Sequence, residues 1–218
     1  MLVVRVVVAI IAGYLLGSIP FGALVGRVYK GVDIRHYGSG RTGATNVLRT
    51  LGPGAAACVV VADIAKGACA VLLAKLLLGS GDMTALHIAE TGAGLAAIAG
   101  HNWSAFMQLH GGRGVLVAAG ALLVLFPPAM VVCVVAGGVV IALSRFVSLG
   151  SLVGVVIAAL AILTFVALGQ EPRPYAAFAI VGAAVIILQH RDNIERLRAG
   201  TERKLGQRVN LPPTHGTA

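Results

Sequence analysis

The stretch VLVAAGALLVLFPPAMVVCVVAGGVVIAL, residues 115–143, carries no charged residue, and the number of times it crosses a bilayer decides the fold. At 1.5 Å per residue it would make a straight helix about 43 Å long. A membrane helix needs about 20 apolar residues. The stretch is therefore too long for one upright span and short for two. Pro127-Pro128 stands in its middle. A tandem proline either kinks one long helix or forms the tip of a tight hairpin.

Working outward from it, five more apolar runs appear, over residues 2–25, 55–78, 86–107, 149–168 and 175–189. The charges between them choose between kink and hairpin, because cytoplasmic loops collect Lys and Arg. In the hairpin reading, Arg27, Lys30, Arg35, Arg41 and Arg49 share one side with Arg113, Arg145 and the polar end of the chain, which holds Arg191, Arg196, Arg198, Arg203, Lys204 and Arg208. The other side keeps only Arg5 and Arg173. A single kinked span would export Arg145 and the tail instead. The sequence thus predicts an all-α, polytopic integral membrane protein with seven transmembrane helices, its N-terminus outside and its C-terminus cytoplasmic. Residues 1–190 form one membrane domain and residues 191–218 a basic cytoplasmic tail.

The composition agrees. Of 218 residues, 58% are hydrophobic and only 11% charged, against about 25% in an ordinary soluble domain. That excludes a soluble globular domain, a disordered chain and a coiled coil. The formal net charge of +9 points to cytoplasm, anionic lipid or an anionic substrate. It does not point to nucleic acid, because too little polar surface remains to dissolve such a binder. Cys58, Cys69 and Cys133 lie in apolar runs, without zinc or disulfide spacing, and read as small buried hydrophobes. The first apolar run continues to Pro20 and beyond without a clear cleavage site, so no cleavable signal peptide is expected. Glycines inside the helices suit close helix packing in lipid.

The chemistry-bearing residues collect in the loops on the basic side. The segment from Gly38 to Arg49 combines three glycines with Ser39, Thr42 and Thr45 and an arginine near each end. Glycine lets backbone N–H groups converge on an anion, a following helix N-terminus adds a favourable dipole, and arginine offers a bidentate fork to phosphate. The Gly-Lys-Ser/Thr ending of a Walker loop is absent. A flexible connector is the alternative reading of the same composition. The second loop holds His101 and then Gly111-Gly112-Arg113-Gly114, again a cation flanked by glycine. His101 is a candidate general base or a hydrogen-bonded interfacial histidine. A third turn carries Ser148. Where the last span meets water, His190, Asn193, Arg196 and Leu197 share one helical face. Arg198, Arg203, Lys204 and Arg208 suit anionic headgroups. Within the spans, Asp63 and Lys66 stand three apart, close enough to pair, at the floor of any site on that side.

In order along the chain, Tyr14-Leu-Leu-Gly-Ser-Ile-Pro20, Gly38 to Gly52 around Gly43-Ala-Thr-Asn46, Asp63-Ile-Ala-Lys-Gly67, Gly100-His-Asn-Trp103, Gly111-Gly-Arg-Gly-Val115, Val147-Ser-Leu-Gly-Ser151 and His190-Arg-Asp-Asn-Ile194 together resemble the acyl-phosphate-dependent glycerol-3-phosphate acyltransferases of bacterial membranes, the PlsY family. Each motif is weak alone, and the ordered set is specific. The resemblance implies a multi-pass enzyme of the bacterial cytoplasmic membrane with its active site facing the cytoplasm. It implies transfer of a fatty acyl group from acyl phosphate to the 1-hydroxyl of sn-glycerol 3-phosphate, with no metal, no other cofactor and no acyl-CoA. It also implies membrane lipid as surroundings and coupling to an enzyme that forms acyl phosphate. None of the six histidines has Asp five positions on, consistent with a family lacking the His-x4-Asp motif. Two positions depart from the family pattern. Arg41 stands where Asn is usual, and Arg113 stands where Lys is usual, with Leu116-Val117 in place of the following Ala-Thr. Arg113 keeps the charge and changes the donor geometry.

On this reading Arg49, Arg113, His190 and Asn193 are the expected catalytic residues. Ser39, Gly40, Arg41, Gly43, Thr45, Asn46, His101, Gly112 and Ser148 are expected to bind substrate. The rival readings are a transporter or channel for a phosphorylated metabolite and a divergent, low-activity paralogue that binds anionic lipid. A carrier should bind near the membrane midplane, through broken helices and internal repeats. Here the polar motifs gather on one face, and no repeat is evident.

Overall fold

The computed structural model describes residues 1–209, and among them every regular element is helical. The chain runs α1 (Leu2–Ser18), α2 (Phe21–Lys30), α3 (Ala44–Leu51), α4 (Pro53–Leu78), α5 (Met83–Asn102), α6 (Val115–Leu125), α7 (Pro127–Ser144), α8 (Val147–Ala167), α9 (Pro174–Gln189) and α10 (Arg191–Arg198). Proline and glycine punctuate it. Pro53, Pro127 and Pro174 each open a helix, where the missing N–H costs nothing. Asp82 caps α5, accepting a hydrogen bond from the Ala85 backbone N–H at 2.9 Å.

The uncharged stretch breaks at Phe126, whose non-helical backbone (φ −153°, ψ 84°) lets Pro127 start a new helix. The two halves then pack on different partners, α6 against α4 and α7 against α8. They are unequal. α7 has 18 residues, whereas α6 has 11 and rises only about 16 Å. α6 is buried on most of its surface, while α7 exposes Val131, Val134, Val135, Val139 and Leu143.

Each of the six apolar runs therefore contains at least one helix, and the longest contains two. Their reach differs. Residues 2–30, 53–78, 127–144 and 147–167 are each long and apolar enough to cross a membrane. α9 and α10, bent by 59° at their junction, pass the same test as a pair. α5 carries His87, Glu90 and His101 within its 20 residues, and α6 is short.

Glycine sets the helix spacing. A Cβ at Gly13 or Gly17 of α1 would collide with the Ala93 or Ala97 backbone of α5. Gly67 of α4 meets the Val117 carbonyl of α6 in the same way, and Gly120 meets that of Ile64. Close backbone approach replaces the hydrophobic drive that lipid cannot supply. The cysteines differ from expectation. Only Cys133 is buried, and Cys58 and Cys69 are exposed on α4 because they fall on its outer face.

Candidate active site

The loop before α3 is built around one amide. Asn46 is 2% exposed. Its Oδ1 accepts from the Ser39 backbone N–H at 3.0 Å, and its Nδ2 group lies within donating distance of the Ile34, Tyr37 and Arg41 carbonyls at 2.9–3.2 Å. Asn46 thus spends its polar capacity on shaping the loop. Gly38, at φ +61°, lies so close to Asn46 Oδ1 that any Cβ would clash with it. Gly40 sits at φ +69° and turns the chain, and it does not line the cavity described below. Asp33 stiffens the loop's entry. Its carboxylate accepts from the Arg35 guanidinium at 2.6 Å, which holds it down at about 2.

These turns present Ser39, Arg41, Gly43, Thr45 and Arg49 to a cavity of about 390 Å3. The opposite rim carries Gly112 and Arg113 from the loop before α6, Ser148 from α8, and His190 and Asn193 from the α9–α10 junction. Twelve of the thirteen residues expected from sequence therefore meet in one space, Gly40 being the exception. Val115, Leu116 and Ala119 of α6 and Cys133, Val134 and Ile141 of α7 form its apolar wall. Val115, Ala119 and Cys133 also border a narrow crevice that continues between α6, α8 and α9 past Leu122, Ile162 and Phe178.

The cations in this cavity are short of counter-charge. Arg113 Nε is buried and has no hydrogen-bond partner among the described residues. Burial, aided by the charges of Arg41 and Arg196, pushes its guanidinium down to about 10, which still leaves it charged at neutral pH. Arg49 is likewise pushed down by burial and opposed by Glu202, and its Nη2 donates to the Arg203 carbonyl at 3.1 Å. Arg41 spans the mouth, donating to Gln189 Oε1 at 3.2 Å and approaching Asp192 Oδ2 at 3.7 Å. Asn193 Oδ1 is also buried without a partner among the described residues.

The sequence reading did not single out Glu202. Its Oε1 accepts from Ser148 Oγ at 3.0 Å and Asn193 Nδ2 at 2.7 Å, and its Oε2 accepts from Arg196 Nε at 2.8 Å. Burial alone would raise this carboxyl, but the three hydrogen bonds outweigh it and hold it below the ordinary 4.5. Glu202 thereby locks α8, α10 and the following segment together. That segment returns across the cavity rim, where the Leu205 N–H donates to the Arg145 carbonyl at 2.7 Å and the Val209 N–H to that of Arg49 at 3.0 Å. The available signal was a lone carboxylate in a run of arginines, which is costly to keep unless it is paired.

A space with guanidinium donors at one end and aliphatic walls at the other suits an anionic, phosphate-bearing head joined to an alkyl chain. Residues 7–200 match the family model described as glycerol-3-phosphate acyltransferase. The chain belongs to this family. It is 45% identical over 218 residues to glycerol-3-phosphate acyltransferase 3 of Dehalococcoides mccartyi, covering 95% of this chain and 99% of that one. It is 47% identical to the glycerol-3-phosphate acyltransferase of Gloeobacter violaceus, covering 89% and 92%. Among solved structures it resembles PlsY, an integral membrane glycerol 3-phosphate acyltransferase, in its glycerol 3-phosphate form. The TM-score is 0.81 at 35% identity, with 92% of this chain and 96% of that one covered. The lysophosphatidic acid form of PlsY gives a TM-score of 0.80.

Proposed function

We propose that this acyltransferase moves a fatty acyl group from acyl phosphate to the 1-hydroxyl of glycerol 3-phosphate, releasing lysophosphatidic acid and inorganic phosphate. The observation that carries the reading is Arg113, whose buried Nε has no hydrogen-bond partner among the described residues, in a cation-rich cavity that shares its apolar wall with a crevice. Both substrates bear phosphate, and only the donor bears an alkyl chain. Ser39, Gly43, Thr45 and Arg49 hold one phosphate, while Arg113, His190 and Asn193 hold the other. The glycerol oxygen attacks the acyl carbonyl carbon as the bond from that carbon to the phosphate oxygen breaks. Acyl phosphate is already activated, so positioning and neutralisation of the departing phosphate supply most of the rate. His190 Nδ1 lies 2.8 Å from the Ile186 carbonyl, which leaves Nε2 as the free acceptor for the hydroxyl proton.

In this reading the seven apolar helices cross or enter the bacterial cytoplasmic membrane, with the N-terminus outside and the cavity facing the cytoplasm. Residues 191–218 are the basic cytoplasmic segment, and an enzyme that forms acyl phosphate supplies the donor. The one-sided placement of Arg27 to Arg49, Arg113, Arg145 and the tail supports that orientation. The test is purified protein with labelled glycerol 3-phosphate and either palmitoyl phosphate or palmitoyl-CoA. Labelled lysophosphatidic acid should form only with the acyl phosphate. Product from palmitoyl-CoA would overturn the donor assignment, and no product from either would overturn the reaction.

A further inference from the structure

Beneath the cavity, α4 and α5 bring together a buried trio from outside the glycine loops. Lys66 Nζ lies 2.9 Å from Asp63 Oδ1, 2.9 Å from the Ile19 carbonyl and 2.9 Å from His101 Nδ1. Several features around this lysine suit an ammonium. Asp63 pairs with it, the Ile19 carbonyl belongs to the electronegative C-terminus of α1, and the Phe21 ring sits 5.6 Å away. An ammonium has three protons and no lone pair. Toward such a group a neighbour can only accept a hydrogen bond or pair by charge, and His101 Nδ1, at 2.9 Å, is then an acceptor. Asp63 Oδ1, at 3.7 Å from His101 Nδ1, is too distant to accept a proton from that nitrogen. The ring proton is then on Nε2.

That nitrogen packs against Gly112, where a Cβ would collide with it, and the ring lines the cavity. Among the described residues, the only hydrogen-bond partner of the His101 ring is at Nδ1. His190 shows the opposite arrangement, with Nδ1 engaged by a carbonyl acceptor and Nε2 left as an acceptor itself.

We infer that Lys66, held by Asp63, fixes His101 as the Nε2–H tautomer, so that His101 serves the reaction as a hydrogen-bond donor to a substrate oxygen and not as its base. This rests on the proposed acyl transfer. As the glycerol oxygen bonds to the acyl carbon and the bond from that carbon to the phosphate oxygen breaks, negative charge builds on the carbonyl and departing phosphate oxygens. His101 donates to that charge and keeps its proton throughout. The hydroxyl proton leaves to His190 Nε2. Lys66 and Asp63 are positioning residues, and Gly112 is small because the ring needs its space.

Two measurements test this on the full chain. In the protein labelled with 15N-histidine, with the resonances assigned by their loss in His101→Gln, His101 should show an unprotonated Nδ1 and a protonated Nε2 at neutral pH. Lys66→Met should mix or reverse that pattern. A wild-type ring protonated at Nδ1, or at both nitrogens, overturns the inference. In kinetics, His101→Gln keeps an N–H near the Nε2 position and has no basic nitrogen. It should hold kcat within about tenfold of wild type. His101→Phe should lose about 100-fold, the usual scale for losing one transition-state donor, with KM for glycerol 3-phosphate changed less than about threefold. Equal loss in the two variants, both melting near wild type, would return His101 to the role of base. Full activity in both would remove it from the reaction. A wild-type protein that transfers no acyl group sinks the reaction and the donor role together, while the nitrogen resonances still decide the tautomer.

Discussion

α4 carries two buried charge clusters, and they are built on opposite terms. Near its C-terminal end, Glu90 of α5 is 1% exposed, accepts from the Tyr175 hydroxyl of α9 at 2.7 Å and meets Lys75 Nζ at 3.5 Å. The His87 ring packs edge-on to Tyr175. This cluster closes on itself, lines neither the cavity nor the crevice, and ties α4, α5 and α9 together. Nearer the other end, Asp63 and Lys66 are also paired, but their third partner, His101, lines a cavity in which Arg113 Nε has no hydrogen-bond partner among the described residues. Charge spent inside the protein holds helices together. Charge left unspent around a cavity waits for a substrate.

The largest effect should come from the unspent side. Arg113→Ala should lower turnover about 100-fold or more, because a charge-assisted contact to a developing anion is lost, whereas Arg113→Lys should retain most of it. Near wild-type rates in both Arg49→Ala and Arg113→Ala would erase the contrast between the two clusters. On the closed side, Tyr175→Phe should leave turnover unchanged and cost about 2 kcal/mol of stability in a detergent melt, the scale for one hydrogen bond to a charged group.

A third test falls on Glu202, where charge is again spent on structure. Its carboxyl is held below the ordinary 4.5. A depressed carboxyl contributes its full stabilisation above the ordinary value and loses it as pH falls through the folded one. Hydrogen exchange of residues 201–209, corrected for intrinsic rates, should therefore show protection at neutral pH that fades only as the pH falls below the ordinary 4.5. Glu202→Gln should be less protected at neutral pH and flat across the range. The smallest effect should be Lys75→Met, since its side chain is 42% exposed. It should shift stability by less than about 1 kcal/mol, and a larger loss would mean that the closed cluster depends on its outer cation.

What the sequence made legible was whatever is written locally. The Pro127-Pro128 break, the i,i+3 pair of Asp63 and Lys66, and the glycine loops are all patterns within a few residues, and each has its counterpart in the structure. That most of the candidate residues would gather around one cavity was legible too, because they lie in short loops at the ends of packed helices. The hidden parts depend on distant partners. Nothing near Lys66 shows that it meets His101, 35 positions on. Nothing near Glu202 names Ser148, 54 positions back. Asn46 was legible as a member of the loop, but its hydrogen bonds to four surrounding residues follow from the way the loop folds. Glycine gave a mixed signal. Gly40 and Gly43 look alike in sequence, and only the turn around Tyr37 sends Gly40 away from the cavity.

The short α6 has a further consequence. Its 11 residues rise about 16 Å from Val115 to the break at Phe126, roughly half of a 30 Å hydrocarbon core. It therefore acts as a gauge that fixes how far Arg113 stands from the Phe126 break, beside the aliphatic wall of α7. In the proposed reaction, a donor with its acyl chain among the helices would meet that cation without leaving the aliphatic wall. Four residues added to α6 would move that cation by about 6 Å and part it from the chain it serves, without altering a single site residue.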